Sequence, residues 1–137
     1  PTGVDLPIVR EDQFFTKAST FLGIPVGATV RSALRVYDPR LQKGSTVRVD
    51  VLAEDGRVLA TRRLFPGNNT IAQAQDPTFQ QVAGYDAILD LRRSFPELDE
   101  VARYHLRVTP ETPGMEYWAF VSVTDNESQH VLLITSK

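Results

Sequence analysis

The feature that most constrains this chain is a two-residue hydrophobic period, repeated in separate short runs. Val47, Val49, Val51 and Ala53 alternate with Thr46, Arg48, Asp50 and Leu52. Val30, Ser32, Leu34 and Val36 alternate with Arg31, Ala33, Arg35 and Tyr37, and Tyr104, Leu106 and Val108 alternate with Arg103, His105 and Arg107. Side chains on a strand point to opposite faces in turn, so a period of two gives each strand one mainly apolar and one mainly polar face. That is the pattern of antiparallel sheets with one side in water. Turn residues fall between the runs: Asp38-Pro39, Glu54-Asp55-Gly56, Pro66-Gly67-Asn68-Asn69 and Asp125-Asn126-Glu127-Ser128. Short strands separated by such turns argue for a sandwich or barrel.

The strands expected from this pattern cover residues 8–10, 19–22, 30–37, 46–53, 58–64, 87–91, 103–109, 115–124 and 129–135. Hairpins are expected at Glu54-Asp55-Gly56 and at Asp125–Ser128. Residues 69–85 are polar and read as a long loop with a short strand near 79–82. Residues 95–101 read as one helical turn, with Pro96 in its first turn and Glu97, Asp99 and Glu100 near its positive end. The 137 residues suit one domain with one core. We therefore expect a single β-sandwich over 1–137, with residues 1–23 forming an N-terminal segment packed on it. The chain opens on Pro1-Thr2-Gly3 without Met, which reads as a mature or engineered boundary with the natural N-terminus upstream.

One strand differs from the rest. Tyr117, Ala119, Val121 and Val123 form one face, while Trp118, Phe120, Ser122 and Thr124 form the other. A strand apolar on both faces near its middle is central in its sheet, or its outer face is covered. The N-terminal segment, with Phe14, Phe15 and Phe21, is the expected cover.

The strands Arg31-Ser32-Ala33-Leu34-Arg35-Val36-Tyr37-Asp38 and Val47-Arg48-Val49-Asp50-Val51, with Glu54-Asp55-Gly56 behind them, match a known layout. So does the closing run from Tyr117 to Asn126. The chain resembles a family of β-sandwich accessory domains of bacterial secreted and cell-surface proteins. The resemblance implies an Ig-like antiparallel β-sandwich of about 7–9 strands, secreted or displayed at the cell surface within a larger exported protein. It implies no chemistry.

Side-chain chemistry narrows the function classes. There is no cysteine, which removes disulfides and thiolate metal sites. Fifteen basic residues against seventeen acidic ones give a net charge of −2, which offers nucleic acid no general attraction. No apolar run approaches the roughly 18–20 residues needed to cross a bilayer as a helix, so no membrane insertion is expected. The two histidines, His105 and His130, have no metal-binding spacing, and His105 is expected to face solvent. The nucleophile elbow Gly-x-Ser-x-Gly is absent, and Gly44-Ser45-Thr46 reads as a loop entering a strand. Asp86 and Asp90 would share a strand face, with Arg92 and Arg93 close enough to pair with them.

Two candidate sites remain. Asp125, Asn126 and Glu127 are oxygen donors on a loop and would suit calcium. The same residues also make a plain turn, because Asp and Asn tolerate left-handed backbone and cap it themselves. Trp118 and Phe120 share a strand face, and Tyr37 and Tyr85 lie at strand or loop ends. Exposed together they would form a platform on which sugar rings stack. Buried, they would serve packing, and burial is the ordinary fate of large aromatics. The expected function is a non-catalytic accessory or interaction domain with a protein or glycan partner and no cofactor beyond calcium. The alternative is a carbohydrate-binding module.

Overall fold

The computed structural model describes residues 14–39, 44–67, 70–71 and 82–134. The alternating runs become strands: β1 (Ser19–Pro25), β2 (Val30–Tyr37), β3 (Val47–Leu52), β4 (Val58–Leu64), β5 (Thr70–Ile71), β6 (Val82–Ala83), β7 (Tyr85–Ile88), β8 (Arg103–Pro110), β9 (Trp118–Asp125) and β10 (Val131–Ile134). A short helix α1 (Leu91–Ser94) and a 3-10 helix (Pro96–Glu100) lie between β7 and β8. The long strands form two four-stranded antiparallel sheets, ordered β1-β8-β3-β4 and β10-β9-β2-β7, while β5 and β6 pair separately. The fold is an all-β sandwich, one of the two architectures the two-residue period allows.

The core lies between the sheets. Phe21, Val47, Val49, Val51, Leu106 and Val108 project from the first sheet, and Leu34, Val36, Ala119 and Val121 from the second, all essentially buried. Leu91, Phe95 and Leu98 of the helical segment join the same cluster. β9 lies inside its sheet between β10 and β2, with its inner face in the core and Phe120 on its outer face covered by Tyr37, Trp118 and Arg35. The β3–β4 turn is built as expected: Gly56 takes φ 93, and Asp55 accepts from the Arg57 N–H at 2.9 Å.

A single hydroxyl straps the two sheets together. Tyr117 enters β9 of the second sheet, and its ring is fully buried. Its Oη lies 2.9 Å from Ser19 Oγ, 2.7 Å from the Lys17 carbonyl and 3.1 Å from the Val108 carbonyl, all on the side of the first sheet. Burial pushes the Tyr117 phenol up to about 12. Tyr104 is the contrast. Its hydroxyl is as deeply buried, near Ser32 of the facing sheet, yet closes no hydrogen bond, and burial raises its pKa as well.

Several boundaries differ from the sequence reading, each for a physical reason. β7 ends at Ile88 rather than 91, because the Asp90 side chain accepts from Arg93 N at 3.2 Å and starts α1. The helical turn expected at 95–101 is the 3-10 helix Pro96–Glu100; an unexpected helix, α1, precedes it and is separated from it at Phe95 (φ −127, ψ 86), since a residue before proline is driven out of helical conformation. β9 begins at Trp118, not 115, because Met115 N–H donates to the Thr112 carbonyl in a turn, and Tyr117 bridges to Phe15. The expected strand at 8–10 lies outside the described residues, as do 79–81; Val82 pairs with Ile71. β1 carries a bulge between Phe21 and Ile24, with Gly23 at φ 67 and its N–H donated to His105 Nδ1 at 3.0 Å. His105 is therefore half-buried against β1 rather than facing solvent.

Replacing Tyr117 by Phe removes the strap and leaves buried partners unanswered, so it should cost about 1–3 kcal/mol. Tyr104→Phe should be neutral or stabilising, because it removes a polar group that already lacks a partner. Since the phenol pKa is higher folded than unfolded, stability should hold below about pH 10 and fall as pH rises toward 12, less steeply in Tyr117→Phe. Thermal melts of the three proteins across that range check both expectations.

Candidate functional site

The second sheet turns Leu34, Val36, Ala119, Val121 and Val123 inward. Alternation then sends Arg31, Ala33, Arg35 and Tyr37 of β2, and Trp118, Phe120, Ser122 and Thr124 of β9, to its open face. Register does the rest. Tyr37 is paired with both Trp118 and Tyr85, and Arg35 with Phe120 and Ala87. Gly84, at φ 71, turns the chain into β7, and its carbonyl accepts from Asp38 N–H at 2.6 Å, which delivers Tyr85 opposite Tyr37. The buried Asp38 is itself fixed by a 2.6 Å bond from Ser45 Oγ.

The four aromatic residues singled out in the sequence are thus brought together across three strands. Tyr37 is the hub, with ring centroids 5.0 Å from Tyr85, 6.0 Å from Trp118 and 6.3 Å from Phe120, the last nearly parallel at 13°. Trp118 and Phe120 are 5.0 Å apart. Phe120 is only 2% exposed, whereas Tyr37, Tyr85 and Trp118 are partly open. The platform is therefore a buried phenyl ring with three amphipathic rings at its surface. Burial raises the Tyr37 pKa, the neighbouring Tyr85 adds to it, and Arg35 opposes it.

The expected cover is not provided by Phe15 or Phe21. Phe21 sits on β1 opposite Leu106 and enters the inter-sheet core, and Phe15 stands edge-on to Tyr117 at 5.4 Å. Both pack on the inner side, because the alternation of β1 places Ser19, Phe21 and the Tyr117 contact on that side.

Arg35 completes the face and was not singled out from the sequence. Its guanidinium carbon lies 5.9 Å over the Phe120 ring, and Nη1 donates to Ser122 Oγ at 3.0 Å. The signal was present: Arg35 is two residues before Tyr37, and so on the same face. A hollow of about 310 Å³ lies between Arg35, Tyr37, Phe120, Ser122 and Leu133. A second of about 150 Å³ continues past Arg35, Ser122 and Thr124 to Ala33 and Arg31. The two hollows adjoin at Arg35, Ser122 and Thr124. Larger hollows of about 390 Å³ at the Arg92–Asp99 ion pair, also bordered by Arg31, and about 530 Å³ beside Leu132 are lined by no Phe, Tyr or Trp.

The other sequence candidates are used structurally. Asp125 Oδ1 accepts from Glu127 N at 2.9 Å and Ser128 N at 3.3 Å, closing the turn on itself, with Asn126 and Glu127 exposed. Among the described residues no three His, Cys, Asp or Glu side chains gather as a metal site. Asp86 and Asp90 do not act as a pair: Asp86 accepts from Phe65 N and Ala87 N, while Asp90 caps α1. Arg92 pairs with Asp99 instead, at 2.8 Å.

Charge separates the two outer faces. On the first sheet, Asp50 is buried between Arg48 at 3.1 Å, Arg107 at 3.2 Å and Thr61 at 2.8 Å, and Arg63 pairs with Glu111. Burial works against the Asp50 charge, but the Thr61, Arg48 and Arg107 bonds outweigh it and hold the carboxyl below its usual pKa. The outward positions of β2, β7, β9 and β10 carry Arg31 and Arg35 and no carboxylate. Comparison with protein families, curated proteins and solved structures gives no match, so function must be read from this face.

Trp118 is the one tryptophan. Its emission should lie between buried and free indole and be partly quenched by acrylamide; complete protection would contradict an open platform. Asp50→Asn should destabilise at neutral pH by about 1–2 kcal/mol. Because the Asp50 pKa is depressed on folding, its contribution is present above about pH 4 and is lost on further acidification. Acid unfolding should therefore be less steep in the variant.

Proposed function

We propose that this chain is a non-catalytic binding domain of a larger exported protein, and that it binds carbohydrate on the open face of the second sheet. The observation that carries the reading is the convergence of Tyr37, Tyr85 and Trp118, all partly open, over a buried Phe120, with Ser122 and Thr124 beside them. Sugar rings present flat C–H faces with hydroxyls at the rim. Aromatic rings receive the faces, and tyrosine, serine and threonine hydroxyls receive the rim. The platform stands on paired strands rather than loops, so little ordering is needed on binding.

The non-catalytic part of the reading is supported by the duties of the polar groups. His105 holds the β1 bulge, Asp50 is enclosed by two arginines, and Asp86, Asp90 and Asp125 satisfy backbone N–H groups. The exported setting is supported by the layout of the closing hairpin, which resembles that of bacterial surface sandwiches. Among the described residues no helix is long and apolar enough to cross a membrane.

The test is thermal unfolding against a panel of soluble neutral and acidic glycans. A ligand at about 100 times its Kd adds roughly 2.7 kcal/mol, a shift of several degrees for a domain of this size. The expected result is a shift with one glycan class, accompanied by a change in Trp118 emission and lost in Trp118→Ala. A flat panel with unchanged emission sinks the carbohydrate reading and turns attention to a protein partner. Leu132, 62% exposed on the edge strand β10, would then be the apolar contact.

A further inference from the structure

We infer that the ligand of this face is an acidic glycan, a uronate-containing polysaccharide, whose carboxylates are read by Arg35 and Arg31. The inference rests on the carbohydrate reading above and adds the chemistry of the sugar.

Charge on the face is one-sided. Within β2, β7, β9 and β10 the only charged residues are Arg31, Arg35, Asp86 and Asp125. Both aspartates are turned to backbone N–H groups, Asp86 toward Phe65 and Asp125 into its own hairpin turn. The two arginines project to the open face, and among the described residues neither pairs with a carboxylate there, although Arg31 also borders the hollow that holds Asp90 and Asp99. On the first sheet Arg48 and Arg107 share Asp50, and Arg63 grips Glu111 at 2.8 and 3.2 Å, whereas the exposed Arg62 and Arg103 form no ion pair among the described residues. What sets Arg31 and Arg35 apart is their place on the face that also holds the aromatic rings.

The arginines also stand where a chain-like ligand would pass. They are four residues apart on one strand face, about 13 Å along β2; Arg35 lines the hollow beside the aromatic platform and Arg31 the adjoining one. Arg35 is held in place, its guanidinium over Phe120 and one nitrogen on Ser122. The rest of its fork is free to take a carboxylate in two parallel hydrogen bonds. Holding the side chain beforehand lowers the ordering cost of binding. With a net charge of −2, the chain has no general affinity for polyanions, so recognition must come from this local pair. A sugar is favoured over an acidic peptide because three of the surface rings and two hydroxyl side chains flank the cations.

The experiment is calorimetric titration, with Trp118 emission as a second readout. The probes are oligosaccharides of polygalacturonate, alginate and hyaluronan, the methyl-esterified oligogalacturonate, and oligoglutamate. One uronate should bind at least tenfold more tightly than its uncharged or esterified counterpart, more weakly as salt rises, with a Trp118 response. Arg35→Gln should lose at least tenfold in affinity and Arg31→Gln severalfold. Arg35→Lys, which keeps the charge without the fork, should fall between Arg35→Gln and the parent. Arg103→Gln, on the opposite sheet, should bind as the parent does, and melting curves should show all variants folded. Equal binding of neutral glycans, or indifference to Arg35→Gln, overturns the acidic specificity and leaves the carbohydrate reading standing. Equal binding of oligoglutamate with the same Trp118 response overturns the sugar in favour of an acidic protein segment. Binding of no glycan overturns both readings.

Discussion

Everything on the second sheet depends on the register between β2 and β9. Eight residue pairs run from Val30 opposite Asp125 to Tyr37 opposite Trp118. A slip of one residue in either strand would exchange its two faces. Leu34, Val36, Val121 and Val123 would be driven into water, and Arg35, Tyr37, Trp118 and Phe120 toward the core. The hydrophobic cost of exposing the inner residues therefore fixes the place of the outer ones. The platform needs no separate means of assembly, because the packing that forms the core also aligns its rings.

Much of this was legible in the sequence because it follows from a period of two. β2 and β4 begin and end where alternation places them, both hairpin turns form at their Gly, Asp and Asn residues, and β9 lies inside its sheet as two apolar faces imply. The aromatic set was visible as well, since Trp118 and Phe120 are two residues apart. What alternation does not carry is which strands become neighbours. Tyr85 meets Tyr37 only because Gly84 redirects the chain and β7 adds to the edge of β2. Phe15 and Phe21 looked like a cover for the outer face, yet a run of aromatics does not state which side it packs on. The contacts that decide this, from Tyr117 to Lys17 and Ser19, join residues about a hundred positions apart. Local competition settled another boundary: the cap at Asp90 ends β7 and starts a short helix where alternation alone would extend the strand.

The two buried tyrosines and the two outer faces follow one rule. A polar group taken from water is tolerated best where a partner is waiting. Tyr117 meets that condition with three oxygens at hand, and Asp50 does so with two arginines and a threonine. Tyr104 does not, and Arg35 lies on a sheet face whose outward strand positions carry no acid. The unanswered group in the core is a small strain on stability. The unanswered cation at the surface is held in a groove beside aromatic rings, where a partner from outside can reach it.

The bulge at Gly23 bears on how this domain behaves among copies of itself. A sandwich of two open sheets has free edges, and a straight free edge can extend its ladder into a neighbouring molecule. Among the described residues β1 is such an edge, but Leu22 and Gly23 together face His105 alone, so the strand is kinked midway and its spacing is broken. A second molecule could match one half of β1 and would fall out of step at the other. The glycine that looks like a local irregularity therefore breaks the even ladder that edge-to-edge pairing along this seam would need.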